Sequence, residues 1–177
     1  MGRICSNETD LIGREQNYIA NSPPVGFEEG LRVALRFISY RSRSAMEVQR
    51  RLSGRFSFEV IDAVTNWLID NRYLDDRQFA IQWKDYRERL NPKGLNLIKG
   101  ELKKFGISEE IIDDVLLKTD EETNAYNAAI RFARKKLRED LDCRGLTRLI
   151  QPYLKRRGFE NGAIRAAIGR ICSELFA

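Results

Sequence analysis

The 177-residue chain is predicted to be all-α: three tandem three-helix repeats stacked into an elongated, curved array. Three observations predict this. Apolar residues recur at helical spacing almost everywhere and alternate in the manner of strands almost nowhere. A motif returns three times, as "EVQRRL" (47–52), "LIKGELKKFGI" (97–107) and "LIQPYLKRRGF" (149–159). In it Leu52, Leu102 and Leu154 each follow an apolar residue by four places, namely Val48, Ile98 and Ile150. Finally, a unit of roughly fifty residues buries too little surface to be secure alone, so neighbours must share apolar faces. The expected division is a loose leader over 1–27 and repeats over 28–74, 75–119 and 120–177.

Taken in order, residues 1–27 are polar and end in a Pro23-Pro24 linker. A helix is expected over about 28–40, with Leu31, Ala34, Leu35 and Ile38 facing inward. Ser44 and Glu47 have the spacing of a capping box and open a second helix, which Gly54 ends. Ser57 caps a third, turning Val60, Ile61, Val64, Trp67 and Leu68 inward. Further helices are predicted at about 76–89, 92–105, 109–118, 121–138, 143–157 and 162–175. Asn91-Pro92 supplies a cap and a first-turn proline, Ser108 and Asp142 are further caps, and Gly106 and Gly158 stand where helix ends need a left-handed residue. The pairs Val60/Ile61, Ile111/Ile112 and Ala163/Ile164 open the last helix of each unit. Pro152 falls inside the eighth helix, where its missing N–H argues for a bend.

The stretch "NRYLDDRQFAIQW" (71–83) places two aspartates between apolar pairs. With Asp75 as N-cap, Gln78 completes a capping-box spacing, and Leu74 with Phe79 has the spacing of a hydrophobic staple. Asp76 faces the positive end of the helix dipole. The pair is therefore expected to be hinge chemistry, not a metal or acid–base site.

Composition narrows the function. Histidine is absent, which removes the commonest general base and every imidazole ligand. Three dispersed cysteines, Cys5, Cys143 and Cys172, predict neither a disulfide nor zinc, and suit a reducing compartment. No segment has the length or apolarity of a membrane span, and no secretory signal is evident, so a cytoplasmic location is expected and the Asn7-Glu8-Thr9 sequon is read as chance. Net charge is +5 and segregated: Arg32–Arg55 holds seven arginines against one acid, and Lys84–Lys104 seven bases against three acids. Arg131–Arg138 holds five bases and no acid, whereas acids gather over 109–122. A polyanion or an acidic protein surface is the expected partner.

The junctions and repeats together resemble the RecX family, regulators of the bacterial RecA recombinase. "ALRFISYRSRSAMEVQRRL" (34–52) is similar to that family's opening, "YLDDRQFA" (73–80) to its first junction, "KGLNLIKGELKKFGI" (93–107) to its second-repeat motif and "LKRRGF" (154–159) to its third-repeat ending. The resemblance runs from about residue 30 onward, with Phe105 replacing a lysine. It implies a non-enzymatic, cofactor-free, monomeric modulator that lies along the RecA filament on single-stranded DNA. Such a modulator damps ATPase, strand-exchange and coprotease activities and bears on recombination, DNA repair and the SOS response.

Bases that recur beside the repeated leucine are the expected partner-binding face: Arg41, Arg43, Arg50, Arg51, Lys99, Lys103, Lys104, Lys155, Arg156 and Arg157. Lys84, Tyr86 and Arg87 are the expected DNA contact, whereas Trp67, Phe79 and Trp83 are assigned to the core between repeats. Two other readings are weighed. A helix-turn-helix module acting directly on DNA is disfavoured because the acidic 109–118 helix would be repelled by phosphate. A nuclease built on Glu110, Asp113 and Asp114 is disfavoured because first-turn acids suit the helix dipole without a ligand.

Overall fold

A computed structural model describes residues 23–136 and 142–176. Within them lie α1 (Phe27–Ile38), α2 (Ala45–Leu52), α3 (Phe58–Asp70), α4 (Asp76–Leu90), α5 (Leu95–Lys104), α6 (Glu109–Leu116), α7 (Glu121–Lys136), α8 (Cys143–Arg156) and α9 (Asn161–Phe176), with no strand. The fold is all-α, as expected. The leader up to residue 22, the Asn7 sequon, Cys5 and the predicted helix end at Arg138 lie outside the described residues.

The chain forms two compact units. In the first, residues up to Arg41 and Val48–Tyr73, α1 packs on α3 around Ala34, Val48, Leu52, Val60, Val64 and Leu68, all buried. Gly30 makes the approach possible, since a Cβ there would lie 3.2 Å from Val60 and 3.3 Å from Val64. Trp67 stacks on Tyr73, with centroids 5.7 Å apart.

The second unit comprises Ser42–Glu47 and everything from Leu74 onward. It contains two apolar clusters. One joins α4, α5 and α6 through Phe79, Ala80, Ile98, Leu102, Ile107, Ile112 and Val115. The other joins α7, α8 and α9 through Ala125, Ala129, Leu146, Ile150, Leu154, Phe159, Ile164 and Ile171. The repeated leucines and their partners four places earlier are all fully buried, as a motif written into the core requires.

Capping follows the sequence at most ends. Ser44 Oγ accepts from Glu47 N while Glu47 Oε2 accepts from Ser44 N, closing the capping box. Asp75 accepts from Gln78 N at 2.8 Å, Ser108 from Ile111 N, and Asp142 from Gly145 N at 2.7 Å. Leu74 and Phe79 are both buried, as a staple should be. Gly106 and Gly158 adopt φ of +80° and +77°. Helix α8 runs through Pro152, whose ring lies on the exposed side.

Three expectations are corrected. Ser57 stands at the N-cap of α3, but its side chain accepts no capping hydrogen bond. The helix predicted from Pro92 begins at Leu95, with Gly94 as its N-cap. Asn91 instead ends α4 and takes a hydrogen bond from Arg157, and Pro92 is buried in the turn between them. Cys143 and Cys172, expected to be free thiols, form a disulfide with Cα atoms 5.5 Å apart. Their 29-residue separation hides the cause: α8 and α9 pack as a hairpin, so the start of one meets the end of the other. The reducing compartment inferred from the cysteine count loses its premise.

A pairing that the sequence does not announce organises the second unit, and it occurs twice. Ser44 Oγ donates to Phe105 O at 2.7 Å, and the Ala45 amide donates to Asp76 Oδ1 at 2.9 Å. Fifty residues on, the Gly94 amide donates to Arg157 O at 2.8 Å, and the Leu95 amide donates to Glu121 Oε1 at 3.0 Å. In both places the start of a middle helix is held by the last carbonyl of the following middle helix and by the carboxylate that opens the next first helix. First-turn amides have no partner within their own helix, so each clasp satisfies donors that would otherwise need water. Asp76 is thus more than a dipole partner. Burial pushes its carboxyl above the ordinary range, the Ala45 hydrogen bond opposes this, and the neighbouring Asp75 charge adds to it.

The clasps demand close approach. A Cβ on Gly94 would lie 2.0 Å from Gly158 O, and one on Gly158 would lie 2.6 Å from Leu97. Gly94→Ala is therefore expected to lose about 2–4 kcal/mol through forced backbone displacement. Gly100→Ala, whose Cβ meets nothing within 4 Å in mid-helix, should gain up to about 1 kcal/mol. Urea midpoints measure both. Asp76→Ala should lose about 1–2 kcal/mol. Asp76→Asn keeps an acceptor for Ala45 and sheds a half-buried charge, so its stability at neutral pH should equal or exceed the parent's.

Candidate functional site

The predicted basic face is sorted by what each base touches. In the first unit Arg41, Arg50 and Arg51 are exposed, and Arg51 lies 5.9 Å from the Phe37 ring centroid. In the second, Arg43 is half-buried and paired with Glu47 at 3.1 Å. Lys99 pairs with Asp113 at 2.6 Å and Lys103 with Glu109, so the acids of α6 neutralise part of the α5 face. The Asp113 hydrogen bond raises the Lys99 pKa, and the Lys103 bond lowers that of Glu109. Such exposed pairs are screened by solvent and add little to stability. Lys104 is exposed beside them.

Lys155 and Arg156 close α8, exposed to solvent, and pair with no carboxylate among the described residues. Arg157 is different. It is half-buried, donates to Asn91 Oδ1 and to Pro92 O at 2.9 Å, and lies 4.8 Å from the Tyr153 ring centroid.

The three residues assigned to DNA contact separate in the same way. Tyr86 is 45% exposed and available to a ligand. Lys84 is mostly covered and lies 3.5 Å from Asp85 and 3.9 Å from Glu88. Arg87 is a scaffold residue: it forms a two-point ion pair with Glu101, at 2.7 and 3.1 Å, and lies 4.5 Å from the Trp83 ring centroid. Glu101 also accepts from Trp83 Nε1 at 2.9 Å and from Lys93. Burial alone would raise the Glu101 carboxyl, but the Lys93, Trp83 and Arg87 hydrogen bonds and the Arg87 charge outweigh it and hold it below the ordinary value. The "E-L" of the second motif, where Glu101 precedes Leu102, is the one trace of this hub in the sequence. Beside it Phe79 and Trp83 each meet Phe105 edge to face within the α4–α6 cluster, and Trp67 stacks on Tyr73, so these rings pack inside their own repeats and not between repeats as expected.

The acids weighed for a nuclease are dispersed among cations: Asp113 meets Lys99 and Asp114 meets Arg77. No cluster able to hold a metal ion occurs among the described residues. No described helix is long and apolar enough to cross a membrane.

Comparison with known proteins places this geometry. Residues 31–68 match the family model of the RecX first three-helix domain, and residues 75–116 that of the second. A "Regulatory protein RecX" from Chlorobium phaeobacteroides is 30% identical over 150 residues, covering 78% of this chain and 91% of its own. The chain belongs to the RecX family. A RecX protein from Bacillus licheniformis is 31% identical over 144 residues, 80% of this chain but 54% of that one, so the chain spans about half the length of the Bacillus relatives it matches. The crystal structure of RecX from Lactobacillus salivarius is similar with a TM-score of 0.71 at 25% identity, covering 84% of this chain and 97% of that one. These relatives bear the name of a regulator, and this chain is accordingly a member of a regulatory family with RecX three-helix domains.

The Glu101 hub yields a signed prediction. A carboxyl whose folded pKa is depressed stabilises the fold above its unfolded pKa, near 4.5, and that contribution is lost as pH falls through the lower folded value. Glu101→Gln should cost about 1–3 kcal/mol at pH 7. The difference from the parent should shrink progressively below pH 4.5 in urea titrations followed by circular dichroism.

Proposed function

We propose that this protein is a non-enzymatic regulator that binds the RecA filament on single-stranded DNA, holds down its ATPase, strand-exchange and coprotease activities, and so regulates recombination and DNA repair in the cytoplasm. Membership of the RecX family, through both matched three-helix domains, is the observation that carries this reading. The chemistry of the surface supports it. No histidine is present, no metal-holding cluster occurs among the described residues, and the carboxylates Asp113 and Asp114 face bases. What remains is a positively charged binding surface, suited to acidic protein or phosphate and sensitive to salt.

The outer bases of α8 are the part of that surface least neutralised by the protein itself. Lys155 and Arg156 act as partner contacts, together with Arg41, Arg50, Arg51 and Lys104. Lys99 and Lys103 take part only by exchanging their acidic neighbours for the partner. Arg43, Arg87 and Arg157 serve chiefly to hold the fold.

The test is RecA ATPase on single-stranded DNA, titrated with this protein at low and moderate salt. Dose-dependent inhibition that weakens as salt rises is expected, and no effect at excess protein would contradict the proposal. Lys155→Gln with Arg156→Gln should raise the half-inhibitory concentration several-fold while leaving helicity unchanged. Tight, sequence-selective binding to naked duplex, with no effect on the filament, would favour a direct DNA-binding module instead.

A further inference from the structure

A cavity of about 310 Å³ lies between the end of α4, one face of α7 and the last turns of α8. Its lining includes three cations, Arg131, Lys135 and Arg157, and an aromatic wall, Phe132 and Tyr153, but no carboxylate. None of the three cations forms an ion pair among the described residues. They share this with exposed bases such as Lys155 and Arg156 and differ from Arg87, Lys93, Lys99 and Lys103, each of which meets an acid; unlike the exposed bases, they converge on one cavity beside an aromatic pair.

The two guanidinium groups are nevertheless fixed. Arg131 Nη1 donates to Arg89 O at 3.0 Å, and Arg157 Nη1 donates to Asn91 Oδ1 and Pro92 O. Neutral oxygens orient a guanidinium without cancelling its charge, and each group has five N–H donors, so several remain for a ligand. The wall is ordered as well: Phe132 and Tyr153 stack with centroids 4.2 Å apart and planes 19° apart, and Arg157 lies over Tyr153. The arrangement is a preorganised anion site bordered by a stacked aromatic pair, with the faces of Tyr153 taken by Phe132 and Arg157.

Size and shape select the ligand. The volume is at the lower end of small-ligand sites, which span roughly 300–1,000 Å³. It exceeds the need of a bare anion and excludes a paired helix. We propose that this cavity binds one nucleotide of a single-stranded nucleic acid. Its phosphate is met by Arg131, Lys135 and Arg157, and its base packs along the side of the Phe132–Tyr153 stack. The site goes beyond the filament reading: it requires no recombinase and is tested without one.

The test is binding of a fluorescein-labelled oligothymidylate to the full chain, read by anisotropy across a salt series. Arg131→Gln with Lys135→Gln should weaken binding at least tenfold and flatten the log–log salt dependence by roughly 0.7 for each phosphate no longer neutralised. Arg144→Gln with Arg148→Gln removes the same charge from exposed positions of α8 outside the cavity. That variant should weaken binding by less than about threefold, and an equal loss in both pairs would overturn the site in favour of diffuse charge. Unlabelled thymidine monophosphate should compete better than inorganic phosphate at matched ionic strength. Equal competition, or competition by polyglutamate as good as by the oligonucleotide, would reduce the cavity to an unselective anion site. On the unaltered protein, amide shifts induced by a thymidylate pentamer should centre on Asn91, Ala128 and Tyr153; shifts confined to other segments would overturn the assignment whatever the variants do.

Discussion

The second unit depends on a clasp in which the start of one middle helix is held by its successor. Its members are small and specific: a hydroxyl or amide on a carbonyl, Ser44 on Phe105 and Gly94 on Arg157, and an amide on a carboxylate, Ala45 on Asp76 and Leu95 on Glu121. Each bond contributes on the order of 1 kcal/mol net, but leaving these donors buried and unmet would cost more. Register matters more than the sum. Sliding one helix by a residue would remove two acceptors at once and drive Leu97 into Gly158, whose positive φ and missing side chain make the turn possible. Apolar burial brings the helices together, and the clasp sets where along each other they stop.

That fixed register has a consequence for charge. The same turn that gives Gly94 its acceptor carries Arg157, and the turn that precedes Gly94 carries Asn91 and Pro92, which bind the Arg157 side chain. A backbone contact thereby orients a cation. In α5 the opposite occurs, because acids of α6 lie within reach of Lys99 and Lys103. The described bases therefore fall into three conditions: spent in ion pairs, open to solvent at Lys155 and Arg156, and, for Arg131 and Arg157 at the α4–α7–α8 cavity, hydrogen-bonded to neutral oxygens with no ion pair among the described residues. Net charge alone does not distinguish them.

Much of the fold was legible. Helical period, a motif repeated at about fifty residues and glycines at helix ends located the elements, because those signals are local and are written into buried positions such as Leu52, Leu102 and Leu154. The capping roles of Ser44, Asp75, Ser108 and Asp142 were legible for the same reason. What escaped was long-range. Nothing adjacent to Asp76 announces Ala45 as its donor, and Asn91-Pro92 looks like a helix start because its true partner, Arg157, is 66 residues away. The disulfide was hidden likewise, since Cys143 and Cys172 meet only once α8 and α9 fold into a hairpin. Of the candidate surface, sequence marked the bases but could not tell Arg87, locked to Glu101, from Arg156, facing solvent.

Native-state amide hydrogen exchange tests the clasp most directly, because it needs no substitution. First-turn amides of a helix ordinarily exchange fast for want of a partner. Ala45, Gly94 and Leu95 are predicted to exchange as slowly as amides in the middle of α5, whereas Phe58, which begins α3 with no side-chain cap from Ser57, exchanges fast. Rapid exchange at Ala45, Gly94 and Leu95, indistinguishable from Phe58, would show that the middle helices are not held in this register.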